Sequence, residues 1–531
     1  MSDLIVTRVR VHDRPGVTAL AARDGVIVAL GGEAEARRAV SPGAEHLDGR
    51  GGTLTPGLID SHAHPHHAAG LAGAVDFGTV HTWDDFLARL RALARRHPDS
   101  WLHVWNLDYA IFAGRAIRGG DIADATFGLP VYGLFFDGHT AIASPRALEL
   151  AGVTGREQFS DTSVVVVDEH GVPTGELKER SAFQLVAAHL PPVSREQARA
   201  AVLDTMRRMA ATGLTGAVSM DGTRASLDLF EDIDRTEGLP IRLQTALTHR
   251  PHFGADEIAD IVAQRDRHGR RWRTGLIKLF HDGVIDTGTG WLYEPDTLGD
   301  GLASFWPDPA RYREVVTAYA KKGFQIATHA IGDRAVGETI DAYLAVGVRT
   351  PAGAPHRIEH LETLTDNDLR RAAGAGIAVS MQPLHMQWRH EDHSDSWAHR
   401  LGRVRSARGW RAADVLRAGA LLALGSDWPV AQFDPRIGMA WAVLRREPGR
   451  PDAPVFDGHL RLTREDVLHG YTRAAADAMG DTRVGRLEVG ALADLTVFAD
   501  DPASVDGDTL ASLPVVGTVV DGEVVHRLAG Y

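Results

Sequence analysis

The chain has 531 residues, 44% of them hydrophobic, so it exceeds one usual domain and can fill a sizeable core. A formal net charge of −13 argues against a nucleic-acid-binding protein, whose surface would be rich in Lys and Arg, and favours a small-molecule partner. The sequence has neither a long apolar run for a membrane span nor a signal-peptide core at residues 1–8. We therefore expect a cytoplasmic protein with no membrane contact, and a homo-oligomer is left open.

Both ends of the chain predict strands. Residues 4–11 and 18–30 alternate enough for a half-buried sheet, and residues 485–498 and 515–526 contain strand-like runs broken by Gly and Asp-Gly turns. We predict one small β-sandwich domain built from residues 1–52 and 483–531.

Between these ends, apolar strand-like runs alternate with amphipathic stretches, as in a parallel barrel or a doubly wound sheet. The count of eight principal strands matches a (β/α)₈ barrel of the α/β class, with strand 1 in residues 53–64 and the remainder in 201–482. The strands are expected near 53–60, 214–219, 241–247, 275–281, 324–329, 356–360, 376–381 and 421–426.

The segment between strands 1 and 2 is too long for one helix. Residues 65–200 therefore predict an α+β insertion, which we expect to cap the barrel mouth and shape a substrate pocket. Within it, His139 follows Asp137-Gly and is a pocket candidate, although a structural role suits it equally well.

Histidines and one aspartate follow the predicted strand ends. Because the chain has no cysteine, any transition-metal site must use nitrogen and oxygen ligands. His62 and His64 are two residues apart on strand 1 and so point to the same face. His329, His360 and Asp427 follow on strands 5, 6 and 8, and together the five residues predict a metal site.

Lys278 lies inside an apolar run although the chain has only four lysines against fifty-three arginines. A buried ammonium is costly, so such a lysine is expected to be neutral, paired or chemically modified.

Six motifs in this order resemble the amidohydrolase superfamily, and within it amidohydrolase family 3, the YtcJ-like branch that includes N-substituted formamide deformylases. The motifs are Pro-Gly-Leu-Ile-Asp-Ser-His-Ala-His64, Lys278-Leu-Phe-His-Asp-Gly, His329-Ala-Ile-Gly-Asp, Arg357-Ile-Glu-His360, Gln382-Pro and Gly425-Ser-Asp-Trp-Pro-Val. The resemblance implies the barrel with its two-ended sandwich, and a carbamylated Lys278 that bridges two divalent metal ions. Zinc is the expected metal, and an unmodified Lys278 beside one ion or none is the alternative.

Further candidates lie near the predicted pocket rim. Trp291, Gln382, His385 and Trp388 follow strands 4 and 7, and the two tryptophans suit an apolar substrate arm or plain packing between loops. Residues beside the ligands can orient them as hydrogen-bond partners; these are Asp282, Asp333, Arg357 and Glu359.

These observations predict a hydrolase that cleaves a non-peptide carbon–nitrogen bond, such as that of an N-substituted formamide, by a metal-activated hydroxide. Asp427 is expected to orient the attacking hydroxide and carry its proton to the departing amine, so Asp427 and Lys278 are the predicted catalytic residues. A cyclic amide, carbamate or ester hydrolase is the alternative enzyme, and a catalytically inactive barrel scaffold is the alternative from another class.

Overall fold

The computed structural model describes residues 3–159, 162–390 and 392–529. The chain folds into two compact units, one of residues 1–66, 202–302 and 308–531 and one of residues 67–201 and 303–307. The first unit contains a barrel sheet and two terminal sheets, and the second contains the inserted sheet.

Eight parallel strands form the barrel sheet in chain order. They are β1 (Leu58–Ala63), β2 (Leu214–Gly222), β3 (Arg242–Thr248), β4 (Trp272–Phe280), β5 (Gln325–Ala330), β6 (Arg357–His360), β7 (Ala378–Met381) and β8 (Leu421–Leu424). One buried cluster includes residues from seven of these strands, among them Ile59, Val218, Ala246, Leu276 and Ala327. The barrel is therefore filled by side chains, as predicted for a (β/α)₈ fold.

Backbone hydrogen bonds between the carboxyl end of β1 and the segment that follows β8 join the two ends of the sheet. The N–H of Asp427 donates to the carbonyl of His62 at 2.7 Å, and the N–H of His64 donates to the carbonyl of Trp428 at 2.8 Å. A glycine permits this approach, because a Cβ on Gly425 would lie only 2.6 Å from the backbone nitrogen of His62.

Helices alternate with the barrel strands and bury one face each. In the helix Arg224–Thr236, for example, the side chain of Thr223 accepts the N–H of Ser226, and Leu227, Phe230 and Ile233 are buried at helical spacing. The α-helices of the first unit outside the terminal sheets are Arg224–Thr236, Ala255–Ala263, Pro309–Lys321, Asp333–Val346, Asp366–Ala375, Ser396–Ser406, Ala412–Arg417, Pro435–Leu444, Arg464–Gly470, Arg473–Ala478 and Gly507–Leu510; Arg195–Ala211 precedes β2, and Pro383–Trp388 and Gly458–Leu460 are 3₁₀-helices.

The two terminal sheets share one hydrophobic cluster, which includes Leu4, Val6, Leu495 and Val519. The four-stranded sheet has the order Val26–Gly31, Ala19–Arg23, Leu4–Thr7 and Glu45–Asp48, with the helix Glu33–Ala39 between its strands in sequence. The five-stranded sheet has the order Arg10–Val11, Thr53–Pro56, Leu495–Phe498, Val515–Val520 and Glu523–Arg527. Both chain ends thus build a β-sandwich, as the sequence predicts.

The boundary between sandwich and barrel differs from the prediction, which placed residues 53–64 in the first barrel strand. Thr53–Pro56 instead pairs antiparallel with Leu495–Phe498, so it belongs to the sandwich, and β1 begins only at Leu58. The cause is Pro56-Gly57, which separates two runs that read as one in the sequence.

The inserted unit has a six-stranded sheet of mixed direction with helices, so an α+β insertion follows β1. Its strands lie in the order Val164–Val167, Pro173–Lys178, Thr140–Ala143, Val131–Phe135, Leu102–Leu107 and Val75–Asp76. Its α-helices are His67–Gly70, Trp83–Arg96, Pro145–Ala151 and Arg180–Ala187, and its 3₁₀-helices are Tyr109–Phe112 and Gly119–Ile122. The capping role of this segment stays a prediction.

Within the described part of the chain, no helix combines the length and apolar character needed to cross a membrane.

Candidate metal centre and active site

The His-x-His pair lies at the end of β1 and points toward one carboxylate. Nε2 of His64 donates to Oδ1 of Asp427 at 2.8 Å, and Nε2 of His62 lies 3.4 Å from the same oxygen. On the other side of its ring, Nδ1 of His62 donates to Oε2 of Glu359 at 2.7 Å. His62 is fully buried and held from both sides, so its Nε2 has a fixed direction.

Asp427 lies three residues beyond β8, in the left-handed region with a φ of 59°. Its second oxygen, Oδ2, lies 3.8 Å from Nδ1 of His360 and 3.9 Å from Nε2 of His385. Burial alone would raise the pKa of this carboxyl, but His62 and the hydrogen bond from His64 hold it well below its ordinary value. Asp427 is therefore a carboxylate surrounded by imidazoles.

His360 ends β6 in an unusual backbone conformation, with a φ of 78°. Its Nδ1 donates to Oε1 of Gln382 at 2.8 Å, and its ring centroid lies 4.5 Å from that of His329 on β5. Nε2 of His329 donates to the carbonyl of Gly283 at 3.0 Å. Burial and the neighbouring His329 lower the pKa of His360 well below its ordinary value, so this imidazole is neutral and suited to ligation.

Lys278 projects from β4 beside His62, and only 1% of it is exposed. Its Nζ lies 3.4 Å from Nε2 of His62 and 4.9 Å from the ring centroid of Phe280. Burial lowers the pKa of Lys278 to about 8, against the opposing effect of the Glu359 and Asp427 charges. About a tenth of Lys278 is therefore the free amine at pH 7, far more than in an exposed lysine.

The donor set fits a divalent metal ion. One ligand atom from each of His62, His360 and Asp427 lies within 4.8 Å of the other two, and all three residues are buried. Imidazole nitrogen and carboxylate oxygen are the donors that zinc and related metals take in the absence of cysteine. Three of the five predicted histidine and aspartate ligands form this group, and His62 lies closer to His360 than to His64, with ring centroids 4.6 Å and 5.4 Å apart.

Two buried carboxylates beyond the six candidate ligands hold this arrangement in place. Asp60, two residues before His62, accepts the backbone N–H of His62 and the N–H and hydroxyl of Ser426, which precedes Asp427. Burial raises the pKa of Asp60 to about 6, although these hydrogen bonds oppose the shift. The sequence analysis did not single out Asp60, and its only signal was a carboxylate two residues before His62 on the same strand.

Glu359 is the second of these carboxylates, and the sequence analysis named it and Arg357 among four residues that can orient the ligands. Nε and Nη2 of Arg357 donate to Glu359 at 2.8 and 3.0 Å, and Nη2 also donates to the carbonyl of Ser61 at 2.7 Å. Burial would raise the pKa of Glu359, but the Arg357 charge and the His62 hydrogen bond lower it below its ordinary value. Glu359 is therefore ionised where it meets His62.

Asp282 and Asp333 were also named as orienting residues. Asp282 accepts the backbone N–H groups of Trp291, Ile331 and Gly332 and lies 3.7 Å from Nε2 of His329, so it fixes the loop around that histidine. Asp333 accepts the N–H of Tyr293 at 3.0 Å. Burial raises the pKa of Asp282 to about 7.

The predicted pocket residues differ in their surroundings. Gln382 accepts a hydrogen bond from His360. His385 lies between Glu362 and Asp427, and its ring centroid is 5.4 Å from that of the half-buried Trp388. Trp291 is buried with its ring 5.1 Å from that of His281, and its carbonyl accepts the N–H of Arg334.

His139 lies in the inserted unit, where its Nδ1 donates to Oε2 of Glu179 at 2.8 Å and its N–H donates to Asp137. This pairing fixes the imidazole, and a substrate contact from it stays a prediction.

Comparison with known proteins agrees with the resemblance noted in the sequence. The chain is 27% identical to the putative amidohydrolase YtcJ of Bacillus subtilis, over 95% of each chain. It is 28% identical to the N-substituted formamide deformylase of Arthrobacter pascens, over 95% of this chain and 94% of that protein.

A crystal structure of an uncharacterised metal-dependent hydrolase from Pyrococcus horikoshii has the same fold. It aligns with a TM-score of 0.75 at 22% identity, over 95% of this chain and 99% of that one. The model of the amidohydrolase family matches residues 45–526, nearly the whole chain. The chain therefore belongs to the amidohydrolase family, whose members are hydrolases.

Proposed function

We propose that this protein is a metal-dependent hydrolase that cleaves a non-peptide carbon–nitrogen bond, with N-substituted formamides as the leading substrate class. The observation that carries the proposal is the buried group of His62, His360 and Asp427 at the carboxyl ends of the barrel strands. In barrels of this kind the carboxyl ends of the strands form the active site.

Two divalent ions, with zinc as the leading metal, would be held by six side chains: His62, His64, Lys278, His329, His360 and Asp427. When bound, such ions lower the pKa of water to about 7 and polarise a carbonyl oxygen. Glu359 and Gln382 support this assignment because they fix the rings of His62 and His360 at their second nitrogens.

Carbamylation of Lys278 belongs to this proposal. The neutral amine attacks carbon dioxide, forms a new nitrogen–carbon bond and releases one proton, so that an ammonium is replaced by a carbamate anion. Two features support it: the low exposure of Lys278 and a pKa of about 8, which supplies free amine. A carbamate would replace the buried positive charge beside His62 with an anion, whose charge the bound metal ions would balance.

Asp427 carries the proton transfer in the proposed reaction. Water adds to the carbonyl carbon and gives one proton to the Asp427 carboxylate, which lies between His62 and His64 on one side and His360 on the other. The protonated Asp427 then delivers this proton to the nitrogen as the carbon–nitrogen bond breaks. The products are a carboxylic acid, formate in the case of a formamide, and a free amine.

The substrate class is supported by the formamide deformylase of Arthrobacter pascens, similar along nearly its whole length. A cyclic amide, carbamate or ester hydrolase is the second candidate, because the same donor set would act on any polarised carbonyl. The six predicted ligands all lie at the carboxyl ends of the barrel strands or just beyond them, which favours an enzyme over an inactive scaffold.

The test combines metal content with turnover. The protein is purified without chelator, its metal is counted by plasma emission spectrometry, and it is assayed against formamides, cyclic amides, carbamates and esters. We expect close to two ions per chain and release of amine and formate that stops on chelation and returns with zinc. Absence of both metal and turnover after metal supplementation would overturn the proposal.

A further inference from the structure

His385 is a buried histidine beside the metal-ligand group but outside it. It lies on the 3₁₀-helix Pro383–Trp388 that follows β7, and 7% of it is exposed. Its Nε2 is buried, has no hydrogen-bond partner among the residues that the structure describes, and lies 3.9 Å from Oδ2 of Asp427. A buried nitrogen without a hydrogen-bond partner is energetically costly. Because this nitrogen lies beside the reactive carboxylate, we expect it to form a hydrogen bond with a polar atom of a bound ligand.

The other ring nitrogen of His385 faces a second carboxylate. Nδ1 lies 3.7 Å from Oε1 of Glu362, and Oε2 of that carboxylate accepts the indole N–H of Trp397 at 2.8 Å. A carboxylate faces each ring nitrogen, Glu362 at Nδ1 and Asp427 at Nε2. At the step where Asp427 carries the proton, Glu362 is the one of the two that attracts the ring proton, to Nδ1, and the lone pair of Nε2 is then an acceptor. The ring of Trp388, centred 5.4 Å away, packs against the same histidine.

The distance between His385 and Asp427 allows both side chains to contact one nitrogen atom. Two atoms 3.9 Å apart can both lie at a normal hydrogen-bond length of about 2.9 Å from a third. The angle at that third atom is then about 85°, which is open enough for a nitrogen that donates one hydrogen bond and receives one proton. A departing amide nitrogen of the R–CO–NH–R′ type does both.

We propose that Nε2 of His385 accepts the N–H of the departing nitrogen while Asp427 delivers a proton to that same nitrogen, so that His385 is a substrate-contacting residue. This inference rests on the proposed function and narrows its substrate class. Amides that carry an N–H are preferred over esters, whose leaving oxygen has no hydrogen to donate, and over N,N-disubstituted amides.

Two variants of His385 separate this contact from a structural role. His385→Asn keeps a polar atom near Nδ1 but loses Nε2, whereas His385→Gln keeps an acceptor near Nε2. Each variant and the zinc-loaded wild type are assayed with N-phenethylformamide and with phenethyl formate, which differ only in the leaving N–H or oxygen. Metal content and melting temperature are measured in parallel.

We expect His385→Asn to lose about 10- to 100-fold in kcat/KM on the formamide, the effect of one hydrogen bond at a buried site, and less than about threefold on the ester. His385→Gln should recover part of the formamide activity, and all three proteins should bind equal metal. An equal loss on both substrates, or no loss on either, would overturn the inference alone. Failure of the wild type on every substrate would overturn the proposed function and this inference with it.

A measurement on the wild type needs no variant and so does not depend on how the variants fold. N-methylation of N-phenethylformamide removes the N–H and leaves the carbonyl in place. We expect kcat/KM to fall by about tenfold or more, as for the loss of one buried hydrogen bond. Equal turnover of the methylated and unmethylated amides would also overturn the inference.

Discussion

Nδ1 of His62 donates a hydrogen bond of 2.7 Å to Glu359, while the other ring nitrogen, Nε2, points toward Asp427. Arg357 donates two hydrogen bonds to the Glu359 carboxylate, and the side chains of His62, Glu359 and Arg357 are fully buried. The direction in which His62 presents Nε2 is therefore set by a buried ion pair on β6.

Glu359→Gln should weaken metal binding by about 10- to 100-fold, because the neutral amide accepts the His62 proton less strongly. It should also lower the free energy of unfolding by about 3–5 kcal/mol, since Arg357 is left as an unpaired buried charge. Metal titration and urea unfolding measure the two effects. Glu338→Gln, which breaks the exposed pair with Arg313, is the matched control and should change stability by less than about 1 kcal/mol. Equal effects of the two changes would contradict this role of Glu359.

Lys278→Ala should lose most of its bound metal and activity, because the proposed bridging carbamate disappears with the side chain. The cavity left by the removed side chain should admit a short carboxylic acid, so acetate or propionate at high concentration should restore part of both. Metal count and turnover with and without the acid are the measurements. Lys321→Ala, at an exposed lysine, is the control. Metal content unchanged in Lys278→Ala would refute the ligand role.

Asp427→Asn should lower kcat by about 10²- to 10⁴-fold, the usual contribution of a positioned general acid–base group. The amide keeps the shape of the carboxylate but can neither take the proton of the attacking water nor carry it to the amine. Steady-state kinetics on a formamide, reported per bound metal ion, separate this effect from metal loss. A loss below about tenfold would assign the proton transfer elsewhere.

Stability should fall as the pH drops from 6.5 toward 4, in part through His356. This residue is buried, its Nδ1 accepts the N–H of Ile326 at 3.2 Å, and burial lowers its pKa to about 4. Between its pKa of about 6.5 in the unfolded chain and about 4 in the folded one, the unfolded state binds more protons, so acid favours unfolding.

His356→Asn keeps an acceptor for Ile326 and removes the titration. Between pH 6.5 and 4.5 the free energy of unfolding should fall by about 1–2 kcal/mol less in this variant than in the wild type. Urea unfolding at each pH measures it. His170→Asn, at an exposed histidine, should follow the wild-type curve. If the free energy of unfolding depends on pH equally in His356→Asn and in the wild type, groups other than His356 cause the loss of stability in acid.

The sequence predicts much of this fold because long apolar runs and ligand motifs mark the barrel strands directly. Seven of the eight strands lie within about three residues of their expected positions, and the two-ended sandwich follows from alternation at residues 4–30 and 485–526. The prediction that residues 53–56 belong to the first barrel strand is wrong, because strand propensity does not indicate which sheet a strand joins.

The orienting residues are harder to predict because their roles arise only from tertiary contacts. Asp60 accepts a hydrogen bond from Ser426, which lies 366 residues away in the sequence. Glu362 likewise contacts His385 and Trp397, which are distant from it along the chain. An isolated carboxylate in a sequence is typical of a solvated charge, and nothing in its neighbours along the chain predicts burial. Motifs therefore predict the ligands, and packing decides how they are held.

The two backbone hydrogen bonds that join the ends of the barrel sheet belong to His62, His64, Asp427 and Trp428. The segments that close the barrel are thus the ones that carry three of the candidate ligands. The distances between these three ligands therefore depend on closure of the sheet, and a change in them would disrupt the closing hydrogen bonds. New substrate preferences on this scaffold are therefore expected to arise in loops that do not take part in closure, such as the turn after β7.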